Sequence, residues 1–138
     1  MNEEKPSERL IEQRLRNRIM EELWGHSRDH TWIKEVGAVE WFESFFDHFP
    51  YEGQPHGYPA MTTDEATAVG AVCLTMQQAI ADLPKNPTVQ QIIHSGWPDR
   101  IRPVAQSALD LLTVRGRLAE EFEEAEPSSP IPWPPNGS

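Results

Sequence analysis

The sequence predicts an all-α protein, an irregular bundle of four to five helices with a proline-rich C-terminal tail. Apolar residues recur at the spacing of a helix face, and good capping residues stand where these stripes begin. Of the 13 prolines, all but Pro6 cluster at 50–59, 84–103 and 127–135, between or beyond the stripes, where they are not expected to interrupt a helix. With 138 residues, the chain is long enough to bury one core without disulfides or metals.

The first two predicted helices carry the N-terminal third of the core. The first helix follows Ser7, a favourable N-cap residue, and is predicted to stop at Gly25. The second runs from about residue 29 or 31 to about residue 47 and is the most aromatic stretch of the chain. The width of its apolar face indicates a central helix, or one that contacts a partner as well as the core.

Three further helices complete the predicted bundle. The third begins with a capping box, in which Thr62 is the N-cap and Glu65 the N3 residue. A short fourth helix spans 89–94, and the last carries apolar residues over 104–122. Pro103 is expected within the first turn of the last helix, where its missing N–H costs little.

The apolar stripes together predict the residues of the core and the boundaries of the domain. Residues 1–6 are predicted to be a disordered N-terminus, 7–126 a single helical domain, and 127–138 a proline-rich tail. The predicted core is Leu15, Ile19, Leu23, Val36, Val39, Phe42, Phe46, Val69, Val72, Met76, Ile80, Leu109, Leu112 and Phe122.

Charge narrows the range of partners. The formal net charge of −10 disfavours nucleic acid and anionic membranes, which repel such a surface, and it suits a basic protein. No apolar run reaches the roughly 20 residues of a membrane span. The charged first residues lack an apolar segment of the kind found in secretory signals, and Cys73, the single cysteine, rules out an intrachain disulfide. We therefore expect a cytoplasmic protein that does not bind membranes.

The histidines are candidate metal ligands. His26 and His30 are four residues apart, and His48 follows at the end of the second helix. Two histidines at this spacing on a helix can share a metal ion. Gly25 and Ser27 indicate a break in the helix, however, and no third ligand is recognisable. We interpret these residues as loop histidines and predict no metal and no cofactor.

Other chemistries find little support in the sequence. Cys73 lies on an apolar stripe, which is typical of an inert packed thiol. No nucleophile elbow, Walker A loop or dinucleotide fingerprint occurs. Residues 88–106 resemble a helix-turn-helix in outline, but Pro98 and Pro103 fall where its recognition helix would begin. We predict no catalytic residue.

The acidic residues of the second helix are the predicted site. Glu40, Glu43 and Asp47 share one flank at positions i, i+3 and i+7, and Glu35 and Trp41 lie on the same predicted helix. A solvated face is the ordinary explanation of such a pattern. Carboxylates so spaced also repel one another and gain from a basic partner, so we predict that these five residues bind one.

The predicted function is therefore that of a non-catalytic, acidic protein-binding domain. Small acidic helical proteins without enzymatic motifs include immunity proteins that block basic toxins, and this analogy of class suggests an immunity-type or regulatory inhibitor of a basic partner. Two alternatives stay open. One is a metal-dependent helical enzyme that uses His26, His30 and His48. The other is a self-associating structural protein, a homodimer formed through the wide apolar face of the second helix.

Overall fold

A computed structural model of the chain describes residues 5–29, 31–47, 55 and 58–126. Within these residues the protein is all-helical, with six α-helices, one 3-10 turn at Tyr58–Ala60 and no strand, which confirms the predicted fold class. The predicted tail at 127–138 and the first four residues lie outside the described residues. The helices are α1 (Glu8–Ser27), α2 (Thr31–Val36), α3 (Ala38–Phe46), α4 (Thr63–Asp82), α5 (Val89–Ser95) and α6 (Trp97–Arg115).

Three long helices form the frame of the bundle. Helix α6 packs against both α1 and α4, and it runs antiparallel to α4. At one end the indole Nε1 of Trp97 donates to Asp82 (2.8 Å), and at the other Arg115 pairs with Glu65 (2.8 Å). The shorter α2 and α3 lie beside α1 and the C-terminal half of α4, and together they carry the acidic residues described below.

Local capping signals in the sequence are confirmed. The hydroxyl of Ser7 accepts a backbone N–H from the first turn of α1 (3.1 Å). Thr62 and Glu65 form the predicted capping box, each side chain bonding to the backbone of the other. Thr88 and Gln91 form a second capping box at the start of α5. These motifs satisfy N–H groups that the first turn of a helix otherwise leaves without partners.

Two glycines act differently from the sequence-based expectation. The predicted second helix is interrupted at Gly37, whose φ of +90° favours glycine, so a single continuous helix over 29–47 is wrong. Helix α1 does not stop at Gly25 but continues to Ser27. A Cβ on Gly25 would lie 2.7 Å from Nε1 of Trp32, so this glycine provides the space in which the indole packs against α1.

The last helix is shifted toward the N-terminus relative to its prediction. Helix α6 begins at Trp97, with Pro98 in its first turn, and it contains Pro103 in its interior. It ends at Arg115 because Gly116 adopts a φ of +89°, so the expected continuation to residue 122 is wrong.

Most of the predicted core residues are buried or partly buried, and three of them are exposed. Val39 is 63% exposed, Ile80 47% and Phe122 52%. The interruption at Gly37 changes the phase of α3, and Phe122 lies beyond the last helix. Leu15, Val36 and Phe46 are partly buried, and the other predicted core residues are buried.

Polar side chains of α1 hold the segment that follows α6. The side-chain amide of Asn17 donates to the carbonyl of Leu118 (2.8 Å), and its oxygen accepts the Leu118 N–H (3.1 Å). Gln13 donates to the carbonyls of Ala119 and Phe122 (both 2.9 Å). Segment 116–126 is therefore fastened to α1 by side chains that satisfy its backbone groups, without forming a helix or a strand.

An arginine in the interior joins the three long helices. Arg16 on α1 is fully buried and pairs with Glu65 of α4 (2.8 Å). It also donates to the carbonyls of Leu112 (3.1 Å) and Gly116 (2.6 Å) at the end of α6. Since buried charge requires partners, this network fixes the relative placement of α1, α4 and α6.

Candidate partner-binding site

Four of the five predicted site residues are exposed acidic residues of α2, of α3 and of the C-terminal end of α3. We define the acidic surface as Glu35, Glu40, Glu43 and Asp47, all of which are exposed. Their carboxylates form no ion pair and no hydrogen bond within the described part of the chain. Lys34 is the one basic residue of the sequence between residues 31 and 47. The surface is therefore strongly negative and is not neutralised by neighbouring side chains.

The position of these carboxylates on α3 increases their negative potential. Glu43 lies in the last turn of this nine-residue helix, and Asp47 is its C-cap residue. The C-terminal end of a helix carries the negative end of the helix dipole. A cation there stabilises the helix by about 0.3–1 kcal/mol, whereas an anion is unfavourable. A cationic ligand would offset both the dipole and the mutual repulsion of the carboxylates.

Trp41, the fifth predicted site residue, lies in the core. It is 3% exposed, and its ring packs 4.9 Å from the rings of both His26 and Phe42, measured between centroids. Its role is therefore to attach α3 to α1 and to the inner face of the bundle. Glu40 and Glu43 of α3, and Asp47 at its end, remain exposed.

A cavity that the sequence did not predict lies beside this surface. This tryptophan pocket encloses about 360 Å³ between α1, α2 and α3. Its described lining residues combine carboxylates with aromatic rings, and the guanidinium of Arg28 lies 5.3 Å from the ring centroid of Trp32. Three separate helices contribute to it, so no local sequence pattern indicates it. Its lining is Glu21, Glu22, Gly25, His26, Trp32, Val36, Glu40, Trp41 and Ser44.

The three carboxylates of the tryptophan pocket are not equivalent. Glu21 is already paired with Arg18 (2.6 Å) and Arg117 (3.1 Å). Glu40 is exposed and makes no ion pair within the described residues. Glu22 has an oxygen, Oε1, that is shielded from solvent and has no hydrogen-bond partner in the described part of the structure. A buried acceptor without a donor is costly, so this oxygen is an unsatisfied group of the folded chain rather than a group offered to the open cavity.

His26 differs from the loop histidine that the sequence indicated. It lies within α1 and is buried, so that interpretation is wrong. Its ring nitrogens face two backbone carbonyls, Nδ1 that of Glu22 (2.8 Å) and Nε2 that of Trp41 (2.6 Å). Neither nitrogen directs a lone pair toward open space. His30 and His48, the other members of the proposed metal group, lie outside the described residues, and within those described no His, Cys, Asp and Glu side chains form a metal-binding group.

An apolar groove borders the other side of α3. It encloses about 520 Å³ between α3, the end of α4 and the loop that follows α4. Val39 and Ile80, two of the exposed apolar residues noted above, line it together with Phe42 and Leu83. The exposed ridge of α3 therefore separates an acidic, aromatic cavity from an apolar one.

Cys73 lies on the inner side of α4 and is buried. Burial raises the pKa of the Cys73 thiol above its ordinary value of 9.0, because desolvation disfavours the thiolate. The thiolate is the nucleophilic form of cysteine, so this environment favours packing over reactivity.

No protein-family model, curated protein or solved structure matches the chain. Among the described residues, no helix combines the length and apolar character needed to cross a bilayer.

Proposed function

We propose that this chain is a non-catalytic binding protein whose acidic surface docks a basic partner protein, in the manner of an immunity-type or regulatory inhibitor. The observation that supports this proposal is the presence of four exposed carboxylates on adjoining helices that have no counter-ion among the described residues. Complementary charge speeds the encounter of two proteins and selects against partners of the wrong sign.

The use of arginine elsewhere in the molecule strengthens the proposal. Every arginine of the chain makes a hydrogen bond, an ion pair or a contact with a tryptophan ring. Segment 116–126, which is also rich in acidic residues, receives several of these contacts, including the bond from Arg18 to Glu120 (2.7 Å). Arginines thus neutralise acidic residues at one end of the bundle, whereas the acidic surface has no counter-ion in the part of the chain that the structure describes.

Charge reversal tests the proposal. A triple variant with Glu40→Lys, Glu43→Lys and Asp47→Lys is compared with the wild type in affinity capture from a lysate of the source organism. The wild type is expected to retain a basic protein, with retention falling as salt rises, because screening weakens exposed charges. The triple variant is expected to lose that protein, and circular dichroism checks that its helices are intact.

A matched control separates the acidic surface from overall charge. Reversal of Asp110, Glu121 and Glu123, which are exposed and lie elsewhere, changes the net charge of the protein by the same amount. This control is expected to retain the partner. Equal loss in both triple variants would show that net charge alone governs capture, and the proposed surface would then be wrong.

Self-association is a second candidate, favoured by the apolar groove. Val39 and Ile80 are large apolar side chains that remain 63% and 47% exposed on its walls. Contiguous exposed apolar surface often marks an interface. Light scattering at increasing concentration is expected to detect a dimer that the double variant Val39→Ser, Ile80→Ser abolishes. A wild type that stays monomeric throughout contradicts this candidate.

A further inference from the structure

We propose that His26 is a pH-sensitive contact between α1 and α3, which makes two hydrogen bonds when its ring is protonated and only one when the ring is neutral. The inference goes beyond the proposed function, because it concerns how α3 is held on the bundle, whatever the acidic surface binds. It predicts that α3 is attached more tightly as the pH falls through the range in which histidine titrates.

The ring of His26 lies between two hydrogen-bond acceptors. Nδ1 is 2.8 Å from the carbonyl oxygen of Glu22, one turn earlier in α1, and Nε2 is 2.6 Å from that of Trp41 in α3. A carbonyl oxygen only accepts hydrogen bonds, so each of these contacts requires a proton on the ring nitrogen. His26 is 4% exposed, so bulk water does not provide another partner for either nitrogen.

The number of protons on the ring decides how many of the two bonds form. A neutral imidazole has one N–H group, so it donates to one carbonyl and directs a lone pair at the oxygen of the other. An imidazolium has two N–H groups and donates to both oxygens. Hydrogen bonds from a charged donor are also about twice as strong as those from a neutral one. The protonated ring is therefore the form that joins α1 to α3 most strongly.

Two further features of the structure favour a positive charge on this ring. His26 lies in the last turn of α1, near the negative end of the helix dipole, where a cation is stabilised. The rings of Trp41 and Phe45 in α3 lie 4.9 and 5.6 Å from that of His26, measured between centroids. Aromatic rings attract a cation within about 6 Å of their centroids, because the face of the ring is negative.

The charged side chains around the ring are mostly negative. Those that line the tryptophan pocket or lie over its rings, among the described residues, are Glu21 and Glu22 of α1, Glu40 of α3, and Arg28. Glu21 is already paired with Arg18 and Arg117. The residues that α2 contributes to the described lining, Trp32 and Val36, are uncharged. Two carboxylates without an ion pair in the described structure thus lie near the ring beside one guanidinium, and this balance favours the protonated form.

NMR of the ¹⁵N-labelled full chain counts the protons on the ring, with the His26 signals assigned from their nuclear Overhauser contacts to Trp41 and Phe45. At about pH 5.5, below the ordinary range of histidine and above that of carboxyl groups, two slowly exchanging ring N–H signals are expected, because both protons bind carbonyls. At about pH 8.5 one signal is expected. The same number of signals at both pH values would overturn the inference, as would ring protons that exchange with water as fast as those of the exposed His94.

Urea denaturation at the same two pH values measures what the contact contributes to stability. The folded chain favours the protonated ring, so the contribution of His26 is present at low pH and is lost as the pH rises. In His26→Gln the side chain keeps one donor and one acceptor and does not titrate. The folded-to-unfolded ratio of the wild type, relative to that of His26→Gln, is expected to fall at least about tenfold from the lower pH to the higher one, since a hydrogen bond from a charged donor is lost.

The matched control is His94→Gln, which removes an exposed histidine from the last turn of α5. The corresponding ratio for this control is expected to change by under about threefold, because an exposed side chain contributes little to stability. An equal pH dependence of the two variants contradicts the inference. If His26→Gln does not fold, the count of ring N–H signals in the wild type decides, because that measurement needs no variant.

Discussion

The buried arginine on α1 provides the sharpest test of how the bundle is held together. In Arg16→Met the side-chain volume is largely kept, but the pair with Glu65 and the donors to two carbonyls are lost. Glu65 keeps Arg115 (2.8 Å) and the N–H of Thr62 (3.0 Å), and the carbonyl of Leu112 keeps its bond from the N–H of Gly116. The carbonyl of Gly116 loses its 2.6 Å side-chain donor.

The expected loss in the free energy of unfolding of Arg16→Met depends on these surviving partners. Breaking a buried ion pair costs about 3–5 kcal/mol when the remaining charge is left unpaired. Because Glu65 is still paired, we expect the lower end, about 3 kcal/mol, which includes about 1 kcal/mol or more for the unsatisfied carbonyl of Gly116. For a domain of this size such a loss lowers the melting temperature by about 10 °C.

Urea denaturation followed by circular dichroism measures the loss directly. The matched control is Arg102→Met, since Arg102 donates to the exposed carboxylate of Asp99 (2.8 Å) near the surface. An ion pair of that kind is worth under about 1 kcal/mol. If Arg16→Met costs no more than the Arg102 control, the network of Arg16 does not hold the three long helices together, and our account of the fold is wrong.

Two glycine substitutions and the chemical modification of Cys73 test the packing around individual residues. Gly25→Ala is expected to destabilise the protein by about 1–3 kcal/mol in urea, because its Cβ would lie 2.7 Å from Trp32. Gly70→Ala meets nothing within 4 Å in the middle of α4, so it is expected to stabilise by about 0.5–1 kcal/mol, and a loss would contradict the described packing. The Cys73 thiol is expected to react slowly with a thiol reagent at pH 8 in the native protein and rapidly in denaturant, with equal rates refuting its burial. Since burial raises its folded-state pKa, the native state holds this proton longer, and the contribution of Cys73 to stability should fall as pH rises past 9.0, which denaturation at several pH values measures.

Local features of the fold followed directly from the sequence. Capping at Ser7 and the capping box of Thr62 and Glu65 depend on residues three positions apart, so they can be recognised in the sequence without any tertiary information. The same holds for the apolar stripes of α1, α4 and α5, whose period follows from the geometry of the helix. Glu65 shows the limit of such reasoning. Its cap was predicted, but its burial and its pairing with Arg16 were not.

Helix boundaries were predicted less well where a glycine had two interpretations. Gly25 resembles a stop and lies inside α1, whereas Gly37 and Gly116 interrupt helices that the sequence pattern continued. The backbone angle at each glycine depends on what packs around it, and Trp32 against Gly25 is the clearest case. Val39 is exposed because of the break at Gly37. An apolar stripe that is extrapolated across a helix break no longer predicts which face of the next helix is buried.

The candidate site also combines features that are local in the sequence with features that depend on tertiary structure. Glu40, Glu43 and Asp47 are exposed, whereas the burial of Trp41 and the cavity between α1, α2 and α3 arise only when these three helices meet. The sequence alone thus determined the helical character of the chain and the caps of its helices, since each depends on neighbours within one or two turns. Tertiary structure decided which polar residues are buried, because Arg16 and Asn17 find their partners about 50 to 100 residues away in the chain.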